Sequence, residues 1–112
     1  MTKLSRQPVH AGEVLKEEFL MPLGITQSHL AKELHTSFRA INELVNEKRG
    51  ITTEMALKLS KFFGTSPQLW LNLQNQFELY KVSIKKKDVL DEVKHFEVAL
   101  KSDSYSTNIA SP

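Results

Sequence analysis

Apolar residues recur along this chain mostly at spacings of three and four, the period of an α-helix with one buried face. Period-two alternation is missing, and no paired β-branched runs flank a hairpin turn, so β-strands are not expected. Gly, Pro and capping hydroxyl residues divide the pattern into segments. The predicted helices run from residue 12 or 13 to 21, over 27–34 and 38–46, from 52 or 53 to 63, and over 67–80.

The ends of these segments carry ordinary stop and start signals. Pro22 and Gly24 are predicted to end the first helix, and Gly64 the fourth. Ser66 and Pro67 are a capping hydroxyl followed by Pro at the first helical position, which is typical of a helix start. The pattern therefore predicts an all-α domain.

The second and third predicted helices follow each other with almost no linker. Thr26 and Ser37 are suited to cap their N-termini, and His35 falls in the turn, where a left-handed backbone is expected. A connection this tight makes the two helices cross at a steep angle. This is the helix-turn-helix geometry, in which the outer face of the second helix can enter a DNA major groove.

The outer face of that second helix offers Phe38, Arg39, Asn42 and Glu43 as candidate base-reading residues. Arg can pair with guanine and Asn with adenine, Phe can pack on a thymine methyl, and Glu can accept from cytosine, although a carboxylate also repels phosphates. The candidate phosphate contacts lie around this face; they are Thr26, Gln27, Ser37, Asn46, Lys48 and Arg49. Gln27 could instead brace the recognition helix, and an ordinary solvated polar face would show the same residue types.

The fifth predicted helix is apolar over a wide arc that includes Leu69, Trp70, Leu73 and Phe77. These residues could all belong to the core. A short helix buries only one face against its own domain, however, so the width of the arc favours a homodimer interface. The sequence leaves open which side chains face a partner.

The composition changes after Tyr80. A basic joint at Lys85, Lys86 and Lys87 precedes a sixth predicted helix, capped by Asp88 and extending to about residue 101, with Val89, Val93, Phe96 and Leu100 at helical spacing. The remaining residues are polar and are expected to be flexible. The predicted organisation is a DNA-binding and dimerisation domain at residues 1–80 and a C-terminal extension at 81–112.

Bulk composition narrows the function classes. The chain has 112 residues, no Cys and a net charge of +2, so any basic DNA-binding face must come from local arrangement. The four His residues show no metal-ligand spacing, and there is no Gly-rich phosphate loop or nucleophile motif. No signal peptide or membrane-spanning run is present. We therefore expect a cytoplasmic protein that is not an enzyme and needs no metal or cofactor.

Three segments resemble the HigA-type, VapI-like antitoxins of the XRE helix-turn-helix group. They are HAGEVLKEEFLMPLGITQ at residues 10–27, NEKRGITTEMALKL at 46–59 and FFGTSPQLWLNLQ at 62–74. The last is the most specific. Ala11 and His35 depart from the family, which usually has Pro and Gly at those places.

The resemblance implies a five-helix fold of the lambda-repressor type and a homodimer. It also implies binding to double-stranded DNA at a palindromic operator in the protein's own promoter, and neutralisation of a cognate HigB or RelE-like toxin that cleaves mRNA. Two alternatives stay open. One is a stand-alone XRE-family regulator without a toxin partner. The other is a protein-interaction module that no longer binds DNA because Glu43 and Glu47 weaken the basic face.

Overall fold

The computed structural model describes residues 7–97, and this part of the chain contains six helices and no strand. Helix α1 covers residues 11–23 as three consecutive segments, of which Leu15–Leu20 is π-helical. The others are α2 (Gln27–Glu33), α3 (Phe38–Val45), α4 (Thr53–Phe63), α5 (Pro67–Lys85) and α6 (Lys87–Asp91). The all-α prediction is confirmed. No helix within these residues is long and apolar enough to cross a membrane.

Helix α1 begins and ends at residues with clear capping roles. The Nδ1 atom of His10 accepts a hydrogen bond from the Gly12 backbone N–H at 2.8 Å, and Gly24 ends the helix with φ of 67°. Pro22 lies inside the last turn, so the prediction that it ends the helix was wrong. The π-helical turn precedes Pro22 directly: the Met21 N–H bonds to the carbonyl of Lys16, five residues earlier. Pro22 itself has no backbone N–H, so it leaves no donor unpaired at this point of the helix.

The core lies between α1, the helix-turn-helix pair, α4 and the first half of α5. Trp70 on α5 is fully buried at 0% exposure, and its ring lies against those of Phe19 and Phe63, with centroids 5.1 and 6.4 Å away. Its indole N–H donates to the Thr65 hydroxyl at 2.8 Å. Trp70 therefore has no surface to offer a second protomer, and its predicted place in a dimer interface is wrong.

The C-terminal part differs from the prediction. Helix α5 continues to Lys85, five residues past its predicted end and across the predicted domain boundary. Helix α6 starts without a side-chain cap from Asp88 and ends at Asp91, whereas a helix to residue 101 was expected. The apolar residues of the longer predicted helix are not packed against any part of the chain that the structure describes, since Val93 and Phe96 are 71% and 80% exposed. A short helix is unstable without such packing. Leu100 and Lys101 lie outside the described residues.

Candidate nucleic-acid interface

Helices α2 and α3 form the predicted helix-turn-helix. The Thr26 hydroxyl accepts from the His29 N–H, and the Ser37 hydroxyl accepts from the Ala40 N–H, both at 3.0 Å. Both caps were predicted from sequence. Each leaves further backbone N–H groups exposed at a helix N-terminus, which is a favourable place for a phosphate.

The turn between the helices is fixed by a left-handed residue. His35 has φ of 55°, and the Thr36 N–H reaches back to the Ala31 carbonyl at 2.9 Å. This closes α2 with the hydrogen-bond pattern that a C-terminal Gly usually provides. The conformation expected for His35 is confirmed.

The inner face of α3 locks it to the core, and its outer face is open. Ala40, Ile41, Leu44 and Val45 are buried. On the other side Phe38 is 51% exposed and the Arg39 side chain is 83% exposed. The recognition helix is thus held rigidly by one face while the opposite face stays accessible.

Asn42 joins the two helices of the motif. Its side-chain N–H donates to the Gln27 side-chain oxygen at 3.0 Å, and its backbone carbonyl accepts from the Asn46 side chain at 2.9 Å. Gln27 therefore braces α3, one of the two roles that the sequence left open. The side-chain oxygen of Asn42 and the side-chain amide N–H groups of Gln27 form no hydrogen bond with another residue in the range 7–97, so the first can still accept and the second can still donate.

Glu43 is the centre of a charged cluster that also contains Arg39 and Arg49. One carboxylate oxygen accepts from Arg39 Nε at 2.8 Å. The other accepts from Arg49 Nη2 at 2.7 Å and from Arg49 Nε at 3.1 Å. The hydrogen bond from Arg39, followed by that from Arg49, holds the pKa of the Glu43 carboxyl below its ordinary value, so this side chain is ionised at neutral pH.

The basic loop after α3 is ordered by its own backbone. Glu47 has φ of 62°, and the Lys48 N–H bonds to the Glu43 carbonyl at 2.7 Å, repeating the closing pattern of α2. Lys48 is exposed and forms no ion pair with another residue in the range 7–97. The Arg49 side chain is paired with Glu43. The two basic residues of the loop therefore differ in whether they are already engaged in an ion pair.

Gln74 is a positioning residue that the sequence reading missed. It is 9% exposed, its side-chain oxygen accepts from the Ile51 N–H at 3.0 Å, and its side-chain N–H donates to Glu78 at 2.9 Å. Gly50 fits against it, since a Cβ there would lie 2.8 Å from the amide carbon. Gln74 thus ties the basic loop to α5. The sequence did contain a signal for this role: Gln74 is a polar residue one helical turn after Trp70, on the side of the helix that faces the core.

The remaining residues of the predicted dimer interface lie at the edge of the core. Leu69 is 37% exposed, and Leu73 and Phe77 are half-buried. The Phe77 ring meets the His10 ring edge-on at 4.9 Å between centroids. Of the four predicted interface residues, Leu69 is the exposed one, while Leu73 and Phe77 each keep part of their surface for a partner.

A comparison with known families fits this geometry. The HTH_3 helix-turn-helix family matches residues 15–70 of this chain. The chain belongs to that family. Its helix-turn-helix of α2 and α3 is therefore the family's defining motif, and its similarity to the HigA-type, VapI-like antitoxins of the XRE group, expected from three sequence segments, is confirmed.

Individual relatives of this helix-turn-helix protein carry related names. Virulence-associated protein I of Dichelobacter nodosus is 49% identical over 71 residues, which cover 63% of this chain and 66% of that one. Antitoxin HigA-1 of Vibrio cholerae is 39% identical over 80 residues, covering 71% and 75%. The structure of Pseudomonas aeruginosa antitoxin HigA with the higBA promoter is 37% identical and superposes with a TM-score of 0.75, covering 80% of this chain and 99% of that one.

Proposed function

We propose that this protein is a cytoplasmic, sequence-specific DNA-binding repressor that acts on an operator in its own promoter and is the antitoxin of a toxin–antitoxin pair. One observation carries the DNA-binding part: the exposed face of α3 presents Arg39 and Asn42, and each is held by a hydrogen bond to a neighbouring side chain. Held polar groups on the outer face of a recognition helix are what direct base readout requires. The similarity to a HigA structure with promoter DNA supports the same role.

The residue roles follow from position around α3. Phe38, Arg39 and Asn42 lie on the outer face and are the proposed base contacts. Thr26, Gln27, Ser37 and Asn46 surround it and, with Lys48, are proposed to meet the phosphates. Glu43 and Arg49 are paired with each other.

Footprinting on DNA from upstream of the gene tests this proposal. A dimer with two recognition helices should protect two half-sites whose centres lie about 10–10.5 base pairs apart or a multiple of that distance. Protection of a single short site, or of the whole fragment without boundaries, would argue against paired recognition helices.

We propose that the dimer forms along one side of α5. Leu69, Leu73, Tyr80 and Ile84 recur at helical spacing on this side, and we call this set the α5 flank. Leu69 and Ile84 are 37% and 61% exposed, so the flank continues from the edge of the core onto the part of α5 that extends beyond it. The flank keeps Leu69 and Leu73 of the interface predicted from sequence and omits the buried Trp70 and the half-buried Phe77.

Ile84→Glu tests the flank with little risk to the fold, because Ile84 lies outside the core. Leu79→Glu is the matched control: Leu79 is on the same helix, is 70% exposed and points away from the flank. We expect sedimentation to give monomers for Ile84→Glu and dimers for Leu79→Glu. Dimers in both variants would place the interface elsewhere.

The toxin partner is proposed on similarity alone. Antitoxin HigA-1 of Vibrio cholerae and the HigA structure are named as antitoxins, and the chain matches them over most of their length. The test is co-expression with the product of the adjacent reading frame, which we expect to be an RNA-cleaving protein of the RelE-like class. Growth arrest that this protein relieves, with a complex recovered on purification, is the expected result. Absence of any such neighbour would leave a stand-alone regulator.

A further inference from the structure

Glu43 lies on the DNA-facing side of α3 and is bonded at both carboxylate oxygens. One oxygen is taken by Arg39, one helical turn earlier, and the other by Arg49 in the basic loop. An ionised carboxylate has about four lone-pair sites, and hydrogen bonds from Arg39 and Arg49 occupy three of them. Little acceptor capacity is left on Glu43 for the amino group of a cytosine.

The bond to Glu43 leaves Arg39 suited to guanine. Its Nε is engaged, which fixes the plane of the guanidinium group, while its two terminal nitrogens donate no hydrogen bond to any residue in the range 7–97. Those two nitrogens are the donors of a bidentate contact to guanine O6 and N7. The Arg39 side chain is 83% exposed, and an exposed Arg loses rotational freedom when it binds DNA. The hydrogen bond to Glu43 already restricts Arg39 before binding, so less freedom is lost on binding.

The bond to Arg49 joins the loop to the recognition helix. Two nitrogens of Arg49 converge on one oxygen of Glu43, so the loop backbone beside Lys48 is held against α3. Two guanidinium groups surround a single carboxylate, so the cluster carries a net positive charge toward DNA.

We propose that Glu43 is a positioning residue: it holds Arg39 and Arg49 in the orientation that DNA requires and does not itself read a base. This inference rests on the proposed DNA-binding function. Arg39 is a proposed base contact, whereas Arg49 was predicted as a phosphate contact, so the effect of Glu43 on operator preference should pass through Arg39, and any effect through Arg49 should be the same on all sequences.

The test is a double-mutant cycle measured by fluorescence anisotropy. The quantity compared is the ratio of affinities for the operator and for shuffled DNA of equal length, since this ratio cancels the general gain in affinity from removing a negative charge. Glu43→Gln should lower the ratio by roughly 2- to 12-fold at each half-site, the loss expected from freeing one long side chain there. In an Arg39→Ala background the same change should have no effect on the ratio.

Glu47→Gln is the matched control. Glu47 is a neighbouring exposed carboxylate that forms no ion pair with another described residue, so its removal should leave the ratio unchanged. Unfolding midpoints in urea should match wild type for both Gln variants, which separates positioning from loss of structure.

Two results would overturn the inference. A loss of equal size with and without Arg39 would make Glu43 a direct base reader, and an unchanged ratio in Glu43→Gln would remove it from recognition. Failure of the proposed function looks different, because wild-type protein would then show no operator preference before any variant is compared.

Discussion

Replacing Gln74 by Leu should destabilise the protein although the two side chains are similar in size. Gln74 is 9% exposed, and its oxygen is the acceptor for the Ile51 N–H at 3.0 Å. Leu would leave that buried N–H without a partner, which costs about 1–3 kcal/mol. The lost bond to Glu78 is partly exposed and adds little. For a domain of this size the change corresponds to a fall in Tm of roughly 4–8 °C for each kcal/mol.

Urea unfolding followed by circular dichroism measures this effect. Gln68→Leu is the matched control, because Gln68 is exposed on the same helix, lies off the α5 flank, and should stay within about 0.5 kcal/mol of wild type. We also expect Gln74→Leu to weaken DNA binding under conditions where it is fully folded, since the loop bearing Lys48 loses its support. A free energy of unfolding equal to that of Gln68→Leu would refute the assignment of Gln74 as the anchor of the loop.

Three further substitutions test separate parts of the account. Lys48→Ala should reduce the slope of log affinity against log salt by about 0.9 for each protomer, or about 1.8 for a bound dimer, on operator and shuffled DNA alike. An unchanged slope would remove Lys48 from the phosphate contacts. His35→Gly should raise the free energy of unfolding by about 0.5–1 kcal/mol, because it relieves a left-handed backbone, whereas Lys32→Gly in the preceding helix should lower it by about 1 kcal/mol. Gly12→Ala should destabilise the protein by about 1–3 kcal/mol despite the helix preference of Ala, because the new Cβ would overlap the Leu44 carbonyl. The control is the neighbouring Glu13→Ala, and equal stability of the two variants would contradict this packing.

Local signals in the sequence were sufficient for the motif itself. The caps at Thr26 and Ser37 and the left-handed turn at His35 depend on a few neighbouring residues, and each was predicted correctly. The width of the apolar arc on α5 was also visible. The division of that arc between core and surface was not visible, because burial of Trp70 depends on how α1, which carries Phe19, and α4, which carries Phe63, pack against α5.

Long-range polar contacts were predicted only in part. Gln27 was given bracing of the recognition helix as one of two roles, but its partner Asn42, 15 positions away, was not identified. The contact between Gln74 and Ile51, 23 positions apart, was missed, since no periodicity connects them. The C-terminal error has a different cause. The spacing of Val89, Val93 and Phe96 fits a helix, but helical spacing without a surface to pack against gives little stability, and α6 stops at Asp91.

The central claim is that the outer face of α3 reads a specific operator. The most direct measurement compares affinities for double-stranded DNA from upstream of the gene and for a shuffled duplex, at one fixed salt concentration, using wild type and Arg39→Ala. Wild type should prefer the upstream DNA by roughly 10³-fold or more. Arg39→Ala should lose about 5- to 150-fold of that preference at each half-site while its affinity for shuffled DNA changes far less. Equal affinity of wild type for the two duplexes, or a preference that Arg39→Ala leaves intact, would contradict the claim.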